Sequence, residues 1–292
     1  MGILRVVATP IGNLEDVSPR ALRTLREADR VFAEDTRRTR ILLDRYEIAA
    51  KPVSLHEHNE ASRIDGALAL LRDGGSIALV SDAGTPLISD PGARLVAAAV
   101  DDGHQVEPIP GPSAVLSALS IAGFAVTPFT FLGFLPRTKG ARAELLASYL
   151  ARPEALVIFE SPRRVGATLA ELAACFDARR GCAARELTKR HEEVVRGSLA
   201  ELADYFEGEA RGEFTIVIEG AGDQEHRSDA PTLLDDAALQ ETIEALLSEG
   251  RRPREIAAEL ATRTSMPRKQ LYAKVVSAKD AANQGEASGE SE

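Results

Sequence analysis

Tryptophan is absent from this 292-residue chain, and aromatic residues make up only 4% of it. The core must therefore be packed from Leu, Val, Ile and Ala. Only two cysteines occur, Cys175 and Cys182, without the spacing of a zinc site or a dithiol redox pair. They are expected as free thiols in a reducing compartment. No run of ~18 apolar residues is present, so no membrane-spanning helix is expected. The N-terminus passes directly into Leu4–Arg5–Val6–Val7–Ala8, without the basic and apolar segments of a secretory signal. A cytoplasmic protein is the expectation.

Several signatures of common chemistry are missing as well. No Gly-x-Gly-x-x-Gly follows the first apolar run and no Gly-Lys-Ser/Thr loop occurs, so dinucleotide and P-loop readings lack a phosphate cradle. A Gly-x-Ser-x-Gly elbow is absent, which leaves a serine hydrolase unsupported. His56 and His58 flank Glu57, but no third spaced ligand completes a metal site, and no metal is expected. Positive charge is also in deficit. The net charge is −10, so nucleic acid could be held only by a local basic surface. Of the 35 basic residues six are Lys, and the rest are Arg, grouped at Arg37, Arg38 and Arg40, at Arg163 and Arg164, at Arg179 and Arg180, and at Arg251, Arg252 and Arg254. Guanidinium forks suit phosphate.

What is present is an alternation of short apolar runs with helical stretches. Val6–Ala8, Arg30–Ala33, Val53–Leu55 and Ile77–Val80 read as strands. Ser18–Pro19 opens a helix, because Ser caps well and Pro fits the first helical position. Another helix runs to Leu43, and a longer one from Glu60 to Leu71. This rhythm predicts an α/β fold with a largely parallel sheet over residues 1–123. A second α/β domain is expected over 124–222, with strands at Thr130–Leu132, Ala155–Phe159, Ala183–Leu187, Glu193–Val195 and Phe214–Ile218. A second cap-plus-proline helix start is read at Ser161–Pro162. A linker is expected at 223–232, a helical extension at 233–278 resembling a helix-turn-helix, and a disordered tail at 279–292.

Three Gly/Pro-rich turns follow strands in the first half: Thr9–Leu14, Ser81–Gly92 and Pro108–Ser113. Ligands of open α/β sheets sit beyond the carboxyl ends of strands, where Gly permits close backbone approach and Pro stiffens the loop. In the second half, Phe159–Glu160–Ser161–Pro162–Arg163–Arg164 sets a carboxylate at a strand end with two guanidinium groups on the following helix. Arg185–Glu192 crowds charged groups at another strand end. These stretches suit an anionic substrate beside a proton-transfer site.

Taken together and in order, the segments Ala8–Leu14, Glu34–Arg37, Ser81–Gly92, Pro110–Ala114, Phe159–Arg164 and Arg185–Lys189 resemble the tetrapyrrole methylase-like superfamily, the class III methyltransferases. Within it they are similar to the family that methylates a cytidine ribose 2′-hydroxyl in 16S ribosomal RNA, in the decoding region of the small subunit. The resemblance spans residues 4 to 220. It implies two α/β domains with S-adenosylmethionine in the cleft between them, and a homodimer. It further implies that Pro10, Ser81, Asp82, Ala83, Gly84, Thr85, Ser113, Ala114, Phe159, Leu187 and Thr188 bind the cofactor.

Methyl transfer to a hydroxyl needs in-line geometry, a proton acceptor and a cation for the developing alkoxide. Glu160 or Glu186 is expected to take the proton, and Lys189 or Arg37 to stabilise the oxygen. Arg37, Arg163, Arg164, Arg252 and Arg254 are the expected RNA contacts. Two other readings remain open at this level: a C-methyltransferase acting on a tetrapyrrole precursor, marked by co-purifying pigment, and a nucleic-acid-binding regulator, marked by failure to bind S-adenosylmethionine.

Overall fold

The computed structural model describes residues 2–221 except 57, 177–178 and 209, and beyond them individual positions between 239 and 278. Its first sheet contains β1 (Ile3–Val7), β2 (Arg30–Ala33), β3 (Pro52–Ser54), β4 (Ser76–Val80) and β5 (Gln105–Ile109). Every pairing is parallel, and the order is β3-β2-β4-β1-β5. Parallel strands need crossovers, and these are α1 (Pro19–Glu27), α2 (Thr36–Arg45), α3 (Glu60–Arg72) and α4 (Ala93–Asp101). The side chains explain the layering. Val7, Val31, Ala33, Ala78, Val80 and Ile109 pack with Ala21 and Leu25 of α1 and Leu42 and Leu43 of α2. Leu4, Phe32, Ile77 and Leu79 pack with Ala67 and Leu71 of α3 and Leu95 and Ala99 of α4. Burial on both faces is why β2 and β4 read as apolar runs rather than as alternation.

Local signals act as expected at α1. Ser18 accepts a hydrogen bond from the Ala21 N–H at 3.1 Å, with Pro19 at the first helical position. β5 carries no apolar run to reveal it. Its Pro108 is tolerated because β5 is an edge strand.

The second sheet holds β6 (Phe129–Phe134), β7 (Ala155–Glu160), β8 (Arg180–Arg185), β9 (Glu193–Ser198) and β10 (Phe214–Ile218), in the order β6-β7-β10-β8-β9. Only β6 and β7 run parallel; the other pairs are antiparallel. Away from an irregularity in β6, side chains alternate between the two faces of its strands. Leu156, Ile158, Ala183, Ile216 and Ile218 meet Leu146 of α6 (Lys139–Ala147), Leu169 and Leu172 of α7 (Val165–Phe176), and Leu199 and Leu202 of α8 (Leu199–Tyr205). Val157, Cys182, Ala184 and Val217 face the other way, towards α5 (Ala114–Ser120). Cys182 is buried and free, and Cys175 is half-buried and free.

The expected helix start at Ser161–Pro162 is corrected: α7 begins at Val165, and Arg163 and Arg164 lie in the preceding turn. The Glu160 carboxylate accepts both the Ser161 N–H, at 2.7 Å, and the Ser161 hydroxyl, at 3.3 Å, while Ser161 O accepts the Arg164 and Val165 N–H groups, so residues 162–164 form a turn ahead of the helix.

Residues 1–220 form one compact unit and 221–292 another. In the latter, Leu239, Ile243, Ile256, Leu260, Leu271 and Val275 are helical and share a buried cluster. The expected linker at 223–232, the tail at 279–292, and Arg252 and Arg254 lie outside the described residues.

Ile216 is fully buried, so Ile216→Ala should lower stability by about 2–5 kcal/mol in urea unfolding. Ser198 and Glu201 form a capping box at α8, and Ser198→Ala should cost about 1 kcal/mol in the same assay.

Candidate active site

Strands β1 and β4 are neighbours, yet the chain leaves them in opposite directions, towards β2 and towards β5. That is the switch point where an open α/β sheet presents a crevice. The two loops are tied there. Thr9 N donates to Gly84 O at 2.9 Å, Gly84 N donates to Thr9 O at 3.0 Å, and Thr9 Oγ1 donates to Ser81 O at 3.4 Å. Gly84 sits at φ +76°, where a side chain is disfavoured. The β2 loop joins through Asp82, which accepts the Asp35 N–H at 2.8 Å and lies 3.5 Å from the Arg38 guanidinium. The β5 loop joins through Thr85, whose hydroxyl donates to Pro112 O at 3.4 Å.

The loop after β8 closes the crevice from the second sheet. Asn13 N donates to Thr188 Oγ1 at 3.0 Å. Gly12 makes this approach possible, since a Cβ there would stand 2.7 Å from Thr188 Oγ1 and 3.0 Å from Leu187 O. The result is a cavity of about 300 Å³ walled by both sheets. Backbone strain gathers at its walls. Among the described residues five non-glycine positions have positive φ, and Leu87, Ser89, Glu186 and Thr188 are four of them. Such conformations persist where the surrounding structure enforces them, and they concentrate at functional sites.

Carboxylates dominate the lining: Glu34, Asp82, Asp90, Glu160, Glu186 and Glu213, against the cations Arg38 and Lys189. Burial pushes Asp90 up to about 6; a hydrogen bond from Ser81 opposes this, and the Glu34 and Asp82 charges add to it. Burial, then the Asp82 charge, also raises Glu34. A pocket lined by more carboxylates than cations favours a cationic guest.

On the opposite wall Lys189 donates to Glu186 Oε1 at 2.7 Å and to Glu213 at 2.8 Å. Burial works against the Lys189 charge, but these two carboxylates outweigh it and raise its pKa, so it stays an ammonium at neutral pH. For Glu186, burial acts upward, and the Lys189 hydrogen bond with the Glu213 N–H brings it below its usual value.

Of the cofactor residues expected from sequence, Asp82, Ala83, Gly84, Thr85, Ser113, Ala114, Phe159 and Leu187 line this cavity. Pro10, Ser81 and Thr188 stand in the same loops without lining it. Of the expected catalytic residues, Glu160, Glu186 and Lys189 line it. Arg37 does not: it is 89% exposed and paired with Asp35, and its neighbour Arg38 takes the wall position. Glu160 is 2% exposed. It accepts from Ser161 and, at 2.7 Å, from the Thr168 hydroxyl, with Arg164 at 3.3 Å. Arg163 is exposed.

Sequence reading did not single out Asp90, Glu34, Ile88, Phe134 or Glu213 as site residues. Asp90 and Ile88 were within reach, because they belong to the Gly/Pro-rich loop already marked. Glu213 comes to the site only through its strand neighbour, since Glu186 N donates to Glu213 O at 2.9 Å. Among the described residues no group of His, Cys, Asp and Glu is arranged to hold a metal.

Because folding raises the Asp90 pKa from 3.8 to about 6, the folded chain binds the extra proton between those values, and this group's stabilisation is lost as pH rises through that window. In urea unfolding, Asp90→Asn should therefore gain stability relative to the parent chain from about pH 4 to 6 and hold that gain above. A pH-independent difference would contradict the assignment.

The family model of the tetrapyrrole (corrin/porphyrin) methylases matches residues 4–203. A Synechocystis protein named ribosomal RNA small subunit methyltransferase I is 42% identical over 274 residues, 93% of this chain and 96% of its own. A protein of the same name from Bacillus subtilis is 40% identical, covering 93% of each chain. Another, from Thermotoga maritima, is 47% identical over 221 residues, 75% of this chain and 99% of its own. Among solved structures, uroporphyrin-III C-methyltransferase from Thermus thermophilus complexed with S-adenyl homocysteine superposes with a TM-score of 0.53 at 19% identity, covering 74% of this chain and 97% of that one. Cobalt precorrin-4 methyltransferase gives 0.57 at 17%, covering 75% and 94%. These two share the fold. The chain belongs to the tetrapyrrole methylase family, among the relatives named ribosomal RNA small subunit methyltransferase I.

Proposed function

We propose that this protein transfers a methyl group from S-adenosylmethionine to a cytidine ribose 2′-hydroxyl of 16S ribosomal RNA in the decoding region of the small subunit. The observation that carries the reading is the acidic, strained cavity at the β1/β4 switch point, in a chain whose relatives of 40–47% identity carry that rRNA methyltransferase name.

The residues present fit the donor. Its sulfonium and ammonium are cations, and Glu34, Asp82 and Asp90 offer negative charge in a partly dry site. The backbone of Ala83, Gly84 and Thr85, with Ser113 and Ala114, supplies the donors and acceptors for the polar arm, Phe159 and Leu187 close over it, and Pro10, Ser81 and Thr188 support it from the same loops, Ser81 and Thr188 through hydrogen bonds with Thr9 and Asn13. S-adenosylmethionine supplies the electrophilic methyl carbon. The protein's part is to hold the acceptor hydroxyl in line and to manage its proton.

Lys189 is a permanent ammonium on the cavity wall, suited to stabilise the developing alkoxide. Glu186 takes the proton. Its Oε1 is engaged by Lys189 and the Glu213 N–H, which leaves Oε2 for the hydroxyl. Glu160 is committed to Ser161 and Thr168, so it acts as a positioning residue for the Phe159 end of β7. Arg37, Arg163 and Arg164, with Arg252 and Arg254 of the C-terminal extension, are assigned to the RNA backbone. The division into 1–123, 124–222 and a C-terminal helical extension, the homodimer and the cytoplasmic location complete this reading. Among the described residues no helix is long and apolar enough to cross a membrane.

Small ribosomal subunits from cells lacking the protein should accept label from S-adenosylmethionine, and mass spectrometry should find 2′-O-methylcytidine. Lys189→Ala and Glu186→Gln should each lower kcat by about 10²-fold or more with saturating RNA, with little change in donor affinity. Donor binding without transfer to any RNA would move the acceptor to a small molecule.

A further inference from the structure

Two apolar side chains stand in the open on the rim of the acidic cavity: Phe134, 58% exposed, and Ile88, 45% exposed. Each is delivered there by an irregular backbone. In β6, Phe131 pairs with Val157, but Gly133 pairs with Ile158 and Phe134 with Phe159, so one extra residue is inserted between Phe131 and Gly133. Strand parity would otherwise send Phe131 and Phe134, three apart, to opposite faces. The bulge, with Gly133 at φ +64°, turns both towards Phe159. Phe159 meets the Phe131 ring edge-on at 4.9 Å and the tilted Phe134 ring at 5.7 Å, bracing Phe134 from within.

Ile88 lies between Leu87 at φ +75° and Ser89 at φ +72°, two left-handed non-glycine residues. The two rims meet: a Cβ built on Gly133 would lie 3.3 Å from Ser89 Oγ. Hydrophobic collapse alone would bury these side chains. Instead, bulge and strain hold them out at the mouth of a polar cavity.

The chemistry of the surroundings selects the guest. β6 and β7 are neighbours, and the segments leaving their ends carry exposed Arg137, Lys139 and Arg163. A flat aromatic base on a phosphodiester chain fits a braced phenyl face whose strand, and the neighbouring one, lead into segments carrying exposed cations. We infer that Phe134 and Ile88 form a slot for one unstacked nucleobase of the acceptor RNA, held so that its sugar reaches the cavity. This rests on the RNA-methyltransferase reading and adds residues that position the acceptor. Base–aromatic stacking tolerates any base, so the slot supplies grip, not sequence choice.

The test uses the full chain with Phe134→Ala, Phe134→Leu, Phe134→Trp and Ile88→Ala. For Phe134→Ala, KM for small subunits should rise roughly five-fold to over a hundred-fold, the ~1–3 kcal/mol of one base–aromatic stack. Phe134→Trp should retain affinity, Phe134→Leu should not, and calorimetric Kd for S-adenosylmethionine should stay within about two-fold in all four. Unchanged KM in Phe134→Ala overturns the slot. So does a parallel loss of donor affinity, which would make the ring part of the donor site, or a loss of self-association in sedimentation, which would make it a contact between copies. Anisotropy with a fluorescein-labelled single-stranded RNA oligonucleotide separates this inference from the underlying reading. Binding that depends on Phe134 without methyl transfer keeps the slot and removes the activity; no binding removes the slot.

Discussion

The second sheet has helices α6, α7 and α8 on one face, and its other face is closed by residues borrowed from the first half of the chain. Ile11 from the β1 loop and Val115, Ala118, Leu119 and Ala122 in and after α5 pack against Val157, Cys182, Ala184, Leu187 and Val217. Each buried Val, Leu or Ile side chain in such a seam contributes about 1.5–3 kcal/mol by leaving water. Without the seam the inner face of the second sheet would be an exposed apolar surface, and the β1 and β4 loops would end in open solvent. With it, two sheets of different topology meet over the switch point, and a cavity is left where the seam stops.

The contacts at that boundary are backbone-close. Gly12 admits the 187–189 loop and Gly84 admits the β1 loop, while the left-handed residues Leu87, Ser89, Glu186 and Thr188 hold the two rims in shapes that free peptides avoid. Apolar burial in the seam supplies the free energy that keeps them there. The same enclosure gathers six carboxylates around one space, and burial, with neighbouring charges adding to it, raises Asp90 and Glu34. Lys189 sets a single positive charge between Glu186 and Glu213, donating to both.

Much of the fold was legible because its signals are local. Ser18–Pro19 starts α1, the strands at Arg30, Ile77, Ala155 and Phe214 are compact apolar runs, and the Gly/Pro turns follow strands. The misreadings also have local causes. Ser161–Pro162 carries the signature of a helix start, but residues 162–164 form a turn and α7 begins at Val165. β5 alternates and contains Pro108, so it shows no run, and its pairing with β1 along the whole length makes it a strand. The antiparallel pairing of most of the second sheet leaves no mark on the residues, because a strand buried on both faces reads the same in either direction.

By itself the sequence determined the class of fold and the Gly/Pro turns at its strand ends, since turn chemistry and apolar periodicity act over a few residues. Only the tertiary structure decided which charged groups share the cavity. Arg38 rather than Arg37 faces it because of the rotation of α2, and Glu213 joins Glu186 through a strand pairing across 27 residues. Asp90 acquires its raised pKa from burial beside Glu34 and Asp82. The bulge in β6 decided the outward ring of Phe134, because one inserted residue reverses which face a side chain takes. Proximity between distant segments, and the dielectric that goes with it, is a property of the packed molecule and is written in no single stretch of chain.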